Sequence, residues 1–186
     1  EEAVREGVDV QAQDSDHMTA LHHASAWGRL ESCQALLKHG ARLGARACDG
    51  STPLHLAAYY GHVETCKMLI SKGASVTSRD NDGSQPLHNG AYRGMTQVCL
   101  ELIKRGAEVN TPQSVNGQTP LHLASEGHHE GVVRALIEAG ADVHAASHDG
   151  ATPLDCAVSG SPQDPSPRCL ALLVSSLNPK PKVDRE

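Results

Sequence analysis

The chain has 186 residues and a formal net charge of −6; 39% of its residues are hydrophobic, 2% are aromatic, and Phe is absent. No apolar run approaches the roughly 18 residues that read as a membrane span. Six acidic residues against Arg5 in the first sixteen positions supply most of the charge, and the near-neutral remainder, with an overall pI of about 6.0, carries no basic field for nucleic-acid phosphates.

A phrase first met at Thr19 organises everything that follows. Thr19-Ala-Leu-His returns as Thr52-Pro-Leu-His, Gln85-Pro-Leu-His, Thr119-Pro-Leu-His and Thr152-Pro-Leu-Asp. Leu21, Leu54, Leu87, Leu121 and Leu154 are therefore spaced by 33, 33, 34 and 33 residues. A fixed period of this size predicts stacked units that bury their apolar faces against one another. In each unit Thr caps a short first helix whose first position suits Pro. A longer second helix ends at Gly40-Ala41, Gly73-Ala74, Gly106-Ala107 or Gly140-Ala141, where Gly takes the left-handed conformation that closes a helix. Asp49-Gly50, Asp82-Gly83, Asn116-Gly117 and Asp149-Gly150 then favour a tight turn at the tip of a short hairpin.

In chain order, residues 1–15 read as the tail of a preceding unit, which implies further units upstream. Four units follow at 16–48, 49–81, 82–115 and 116–148, and a fifth at 149–177; the tail 178–186, with Pro179 and Pro181, is expected to be flexible. One extra residue between Asn110 and Gly117 predicts a distorted third-to-fourth junction. In the fourth unit His128 stands where the others place Gly28, Gly61 and Gly94, with Gly127 displaced one position earlier. The fifth inserts Ser161-Pro-Gln-Asp-Pro-Ser-Pro167 between its helices, an irregular loop in which Ser161 and Ser166 are candidate phosphorylation sites.

Cysteine and histidine suggest a metal site or a thiol enzyme until their register is examined. Cys33, Cys66, Cys99 and Cys169 fill one slot of the second helix that Val133 fills in the fourth unit, and Cys156 stands in the slot of Leu56 and Leu123. Slots that exchange Cys with Val or Leu are apolar core, and stacked neighbours sit too far apart for disulfides. Only Cys48 is expected to be exposed and reactive. Free cysteines point to a reducing compartment, cytoplasmic or nuclear. His22, His55, His88 and His122 form a ladder rather than a ligand cluster, and no Cys-x-x-Cys, His-Glu-x-x-His or phosphate loop is present. No catalytic residue, metal or cofactor is expected.

The run Asp49-Gly-Ser-Thr-Pro-Leu-His-Leu-Ala-Ala-Tyr-Tyr-Gly-His-Val-Glu-Thr-Cys-Lys-Met-Leu-Ile-Ser-Lys-Gly-Ala74 resembles an ankyrin repeat almost position by position, and the likeness extends from Gly7 to about Leu177. The resemblance implies an all-α solenoid of helix-turn-helix units joined by β-hairpin-like fingers. It implies that the ladder histidines bridge neighbouring units. It also implies a non-catalytic module that binds a protein or peptide on its concave face, as a monomer and as scaffold or adaptor within a larger protein. Ankyrin arrays also serve as substrate receptors of ubiquitin ligases, and a structural spacer is a further alternative.

By the same resemblance, the concave face is built from finger tips and the exposed ends of the first helices. Those ends carry every aromatic residue of the chain, Trp27, Tyr59, Tyr60 and Tyr92, followed by Arg93 and, in the fourth unit, Glu126. Aromatic anchors are the usual centres of interfaces, although such rings can also simply cover the edge of a helix layer. Arg46 and Arg79 share one finger slot, with Asp49, Asn81, Asp82, Ser84 and Gln118 beside them. Three arginines on this face suggest a partner with acidic groups and argue against methylated lysine.

Overall fold

The computed structural model describes residues 9–159 and 167–177. Most of the expected half-unit, the Pro-rich insertion with Ser161 and Ser166, and the tail from 178 onward lie outside the described residues. Among the described residues ten helices occur in five pairs. The short members are α1 (Ala20–Ala26), α3 (Pro53–Tyr59), α5 (Pro86–Tyr92), α7 (Pro120–Glu126) and α9 (Pro153–Ser159). The longer ones are α2 (Leu30–Lys38), α4 (Val63–Ser71), α6 (Thr96–Lys104), α8 (Glu130–Glu138) and α10 (Pro167–Leu177). Each short helix packs on its own partner and on the short helices of the neighbouring units.

The core follows the repeat. Leu21, Leu54, Leu87 and Leu121 are buried, as are Cys33, Cys66, Cys99, Val133 and Cys169 in the shared slot of the second helices. The six cysteines form no disulfide with one another, and among them only Cys48 is exposed. Burial pushes the thiols of Cys66 and Cys99 up to about 12 and that of Cys156 up to about 11, so they pack as neutral apolar groups.

In the first four units the first helix opens through a reciprocal contact between its N-cap residue, Thr or in the third unit Gln85, and a His. In the second unit the Thr52 backbone N–H donates to His55 Nδ1 at 3.1 Å, and His55 Nε2–H donates to the Ser84 carbonyl of the next unit at 3.1 Å. The same two-sided bridge links His22 to Ser51, His88 to Thr111 and His122 to Ala151 at 2.9–3.1 Å. Acceptance at Nδ1 and donation from Nε2 require the neutral imidazole with its proton on Nε2. Burial enforces that state: it lowers the pKa of all four histidines, that of His88 to about 4.

The fingers are turns rather than strands. Among the described residues the β-structure is a single isolated bridge, Gln13 with Thr19. Each finger closes on a short-range bond, as in Ala47 N–H to Ser51 O (2.9 Å) and Asp80 N–H to Ser84 O (2.9 Å). At the junction with the extra residue the closing bond spans one residue more, from Gln113 N–H to Gln118 O at 2.8 Å. One backbone bond then ties each finger to the next: Cys48 to Asp16, Asn81 to Asp49, Ser114 to Asp82 and His148 to Asn116.

Candidate functional site: a cleft lined by tyrosines and carboxylates

Two sets of positions far apart in the chain are brought together by this stacking. Fingers supply Asp49, Asp82, Asn116 and Gln118, and the ends of α3, α5 and α7 supply Tyr59, Tyr60, Tyr92 and Glu126, to one cleft of about 530 Å³. Leu56, Asn89 and Leu123, one from each of three successive first helices, line it as well. Tyr59 is the centre of the aromatic group. Its ring meets Tyr60 edge-on at 5.1 Å and stacks with Tyr92 at 6.4 Å, and the Arg93 guanidinium carbon lies 4.9 Å from its centroid. That last contact is a cation–π arrangement. Tyr60 and Tyr92 remain 51% and 54% exposed, far more than rings that merely seal a helix layer.

Trp27 stands apart from this group. It is 72% exposed and shares with Tyr60 a second cavity of about 390 Å³, bounded by Met18, His23, Ala26 and His62. Tyr60 therefore belongs to both spaces.

The expected charge pattern changes at the fingers. Arg46 Nη1 donates to the Arg79 carbonyl at 2.6 Å and Nη2 to Asn81 Oδ1 at 3.3 Å. Arg79 Nη1 donates to the Gly83 and Pro112 carbonyls at 3.1 and 3.2 Å, and Asn81 Nδ2 to the Cys48 carbonyl at 2.8 Å. These three side chains staple successive fingers. Ser84 lines the cleft as expected of a site residue but is buried there: its carbonyl accepts the bond from His55, and Gln113 donates to its hydroxyl. Asp49 is exposed, with its carboxylate accepting from the backbone and hydroxyl of Ser51 at 2.8 and 2.9 Å.

The charged residues that line the cleft are Asp49, Asp80, Asp82 and Glu126, with no Lys or Arg among them. Asp80 is partly buried, which raises its pKa, and it accepts the Ser84 and Asp82 backbone N–H groups at 2.8 and 3.0 Å. Asp82 and Glu126 make no side-chain hydrogen bond or ion pair among the described residues. The charged side chains lining the cleft are thus acidic, while Arg46 and Arg79, which bond to carbonyls without losing their charge, stand outside its lining. Arg93, stacked on Tyr59, is the arginine left nearest the rings.

Leu56, Asn89, Leu123, Asp80, Gln113 and Asn116 line the cleft without having been singled out from sequence. One signal was available. Leu56, Asn89 and Leu123 share a register position directly after the ladder histidine, and a polar Asn in that otherwise apolar slot marks a surface.

Among the described residues no group of three or more His, Cys, Asp or Glu could hold a metal ion, and no helix is long and apolar enough to cross a membrane. A family model for ankyrin repeats, in three copies, matches residues 1–80, 43–113 and 87–183. No curated protein matches the chain.

Proposed function

The chain belongs to the ankyrin-repeat family, and from that premise we propose that it is a non-catalytic binding module whose concave cleft receives a protein or peptide, serving as scaffold or adaptor. The observation that carries this reading is the tyrosine group. Rings stacked on one another yet half exposed, beside a cleft of about 530 Å³, offer large contact area with little side-chain entropy left to lose. A structural spacer has no use for such a surface, and no observation favours a ubiquitin-ligase role. Buried cysteines that form no disulfide with one another suit a reducing compartment, cytoplasmic or nuclear. An acidic partner was the expectation while Arg46 and Arg79 counted as free; with both engaged by finger carbonyls, that preference loses its support.

The test compares proteins captured from cell lysate by the wild-type chain and by the Trp27/Tyr59/Tyr60/Tyr92 quadruple alanine variant, with thermal melts of both. A partner held by the first and lost by an equally stable second supports the concave cleft. Identical captured sets would remove it as the binding face.

A further inference from the structure

Resting on the concave-cleft reading, we propose that the partner is an extended segment with an apolar side chain and, about six residues away, an arginine. The apolar side chain fills the notch between Trp27 and Tyr60, and the arginine enters the tyrosine cleft beside Asp82 and Glu126.

The two spaces are contiguous because Tyr60 walls both, and their chemistry differs. The notch presents Met18, Ala26, Trp27 and Tyr60 and contains no carboxylate. The Nε2–H of His62, at its edge, is already donated to the Ala26 carbonyl at 2.9 Å. His23, on the same wall, is engaged through Nε2 with the Asp14 carboxylate at 2.7 Å, so an apolar side chain there covers exposed ring surface without displacing the bond of either imidazole.

The neighbouring cleft asks for the opposite chemistry. An acidic side chain would face only carboxylates among the charged lining residues, whereas a cation is complementary to them. The chain itself shows which cation these rings accept, since Arg93 lies over Tyr59 with its guanidinium carbon 4.9 Å from the centroid. A second guanidinium would find Tyr60 and Tyr92 half exposed and the Asp82 and Glu126 carboxylates without hydrogen-bond partners. Guanidinium combines ring stacking with forked bonding to carboxylate, which an ammonium cannot do.

The spacing follows from the solenoid. Neighbouring helices pack roughly 8–10 Å apart, and an extended chain advances about 3.3 Å per residue. One unit of the array thus corresponds to about three residues of an extended ligand, and the notch between the first and second units lies two units from the carboxylates of the third and fourth, which makes the span about six residues.

The probes are synthetic dodecapeptides on a Gly/Ser background, carrying one Leu and one Arg at separations from about two to about nine residues to either side. Matched sets replace Arg by Lys or Glu, and Leu by Ser. Fluorescence anisotropy against the 186-residue chain is expected to favour a spacing of about six residues in one chain direction. Arg peptides should bind at least tenfold tighter than Glu peptides, with Lys between. An Asp82→Lys/Glu126→Lys variant of unchanged melting temperature should lose at least tenfold for the Arg peptide, and Trp27→Ala should abolish the advantage of Leu over Ser. Glu peptides binding equally well, affinity indifferent to spacing, or no binding in any set would overturn the proposal. The quadruple alanine variant separates the two levels. If it binds the best peptide undiminished, the concave reading itself fails. If it loses the peptide while the charge-reversed variant keeps it, only the arginine assignment fails.

Discussion

His55 and Tyr59 project from the same seven-residue helix, one turn apart, yet they obey different rules. The histidine is fully buried, bonded on both sides, and repeated in four successive units with nearly constant geometry. The tyrosine sits at the open end of the helix, and its slot holds Ala26, Tyr92, Glu126 and Ser159 in the other units. Regular positions hold units to one another: a unit that lost its histidine would lose its side-chain bond to the next. Irregular positions are released from that duty and can differ from unit to unit, as a surface for one partner must. Within a repeat array, then, departure from the period on an exposed face is the mark of recognition.

Acid should break the regular half of this comparison most severely. The unfolded chain titrates its histidines near the ordinary 6.5, whereas burial holds the folded ladder below it, with His88 at about 4. The unfolded state therefore binds more protons as pH falls, and stability present above 6.5 is lost from there toward 4. His88 alone accounts for on the order of 3 kcal/mol once the shift is fully expressed, and three further histidines act in the same direction. Urea midpoints should be flat from pH 8 to 7 and drop steeply between 6 and 4.5. A midpoint unchanged at pH 5 would mean that the ladder does not stay neutral by burial.

A pair of single substitutions sharpens the contrast. His55→Ala leaves the Thr52 N–H and the Ser84 carbonyl without their partner in a closed interior and should cost about 3 kcal/mol of stability. Tyr92→Ala, at a ring 54% exposed, should change stability by less than about 0.5 kcal/mol and cost about 2 kcal/mol in partner binding. Denaturation and binding titrations on both variants check the pair. If Tyr92→Ala unfolds the chain as readily as His55→Ala, the rings belong to the fold and not to a binding surface.

Nearly all of the scaffold was legible because repeats state their rules several times over. Leu21 and its successors, the Thr–His contact and the shared Cys/Val slot each recur at one period, so register gave burial directly. The cleft was legible only in part. Tyr59, Tyr60, Tyr92, Asp49, Asp82, Gln118 and Glu126 do line it, but Arg46 and Arg79 turn their forks into the next finger. Nothing in a one-dimensional register distinguishes a guanidinium facing solvent from one facing a carbonyl one unit, 33 residues, ahead. Ser84 does line the cleft, but as a buried residue whose carbonyl and hydroxyl are already bonded.

The smallest effect tests whether a broken rule inside the scaffold is a defect. Gly28, Gly61 and Gly94 occupy the turn between paired helices with φ of 62°, 82° and 71°, and a Cβ at these positions would run into the side chain of His62, Met95 or His129 stacked above. At the corresponding place the fourth unit carries His128, held at φ 54°, with both ring nitrogens buried and without hydrogen-bond partners. A side chain in the left-handed region costs about 1 kcal/mol or more relative to Gly, and stranded ring nitrogens add to that. Some apolar contact of the imidazole offsets the total. His128→Gly should therefore stabilise the chain by about 1 kcal/mol, seen as a raised urea midpoint with an unchanged slope, and should leave peptide binding at the tyrosine cleft as it was. A loss of stability would show that the ring's packing outweighs its strain. The fourth unit's departure would then be a compensated part of the stack, and only the exposed irregularities would remain as candidates for recognition.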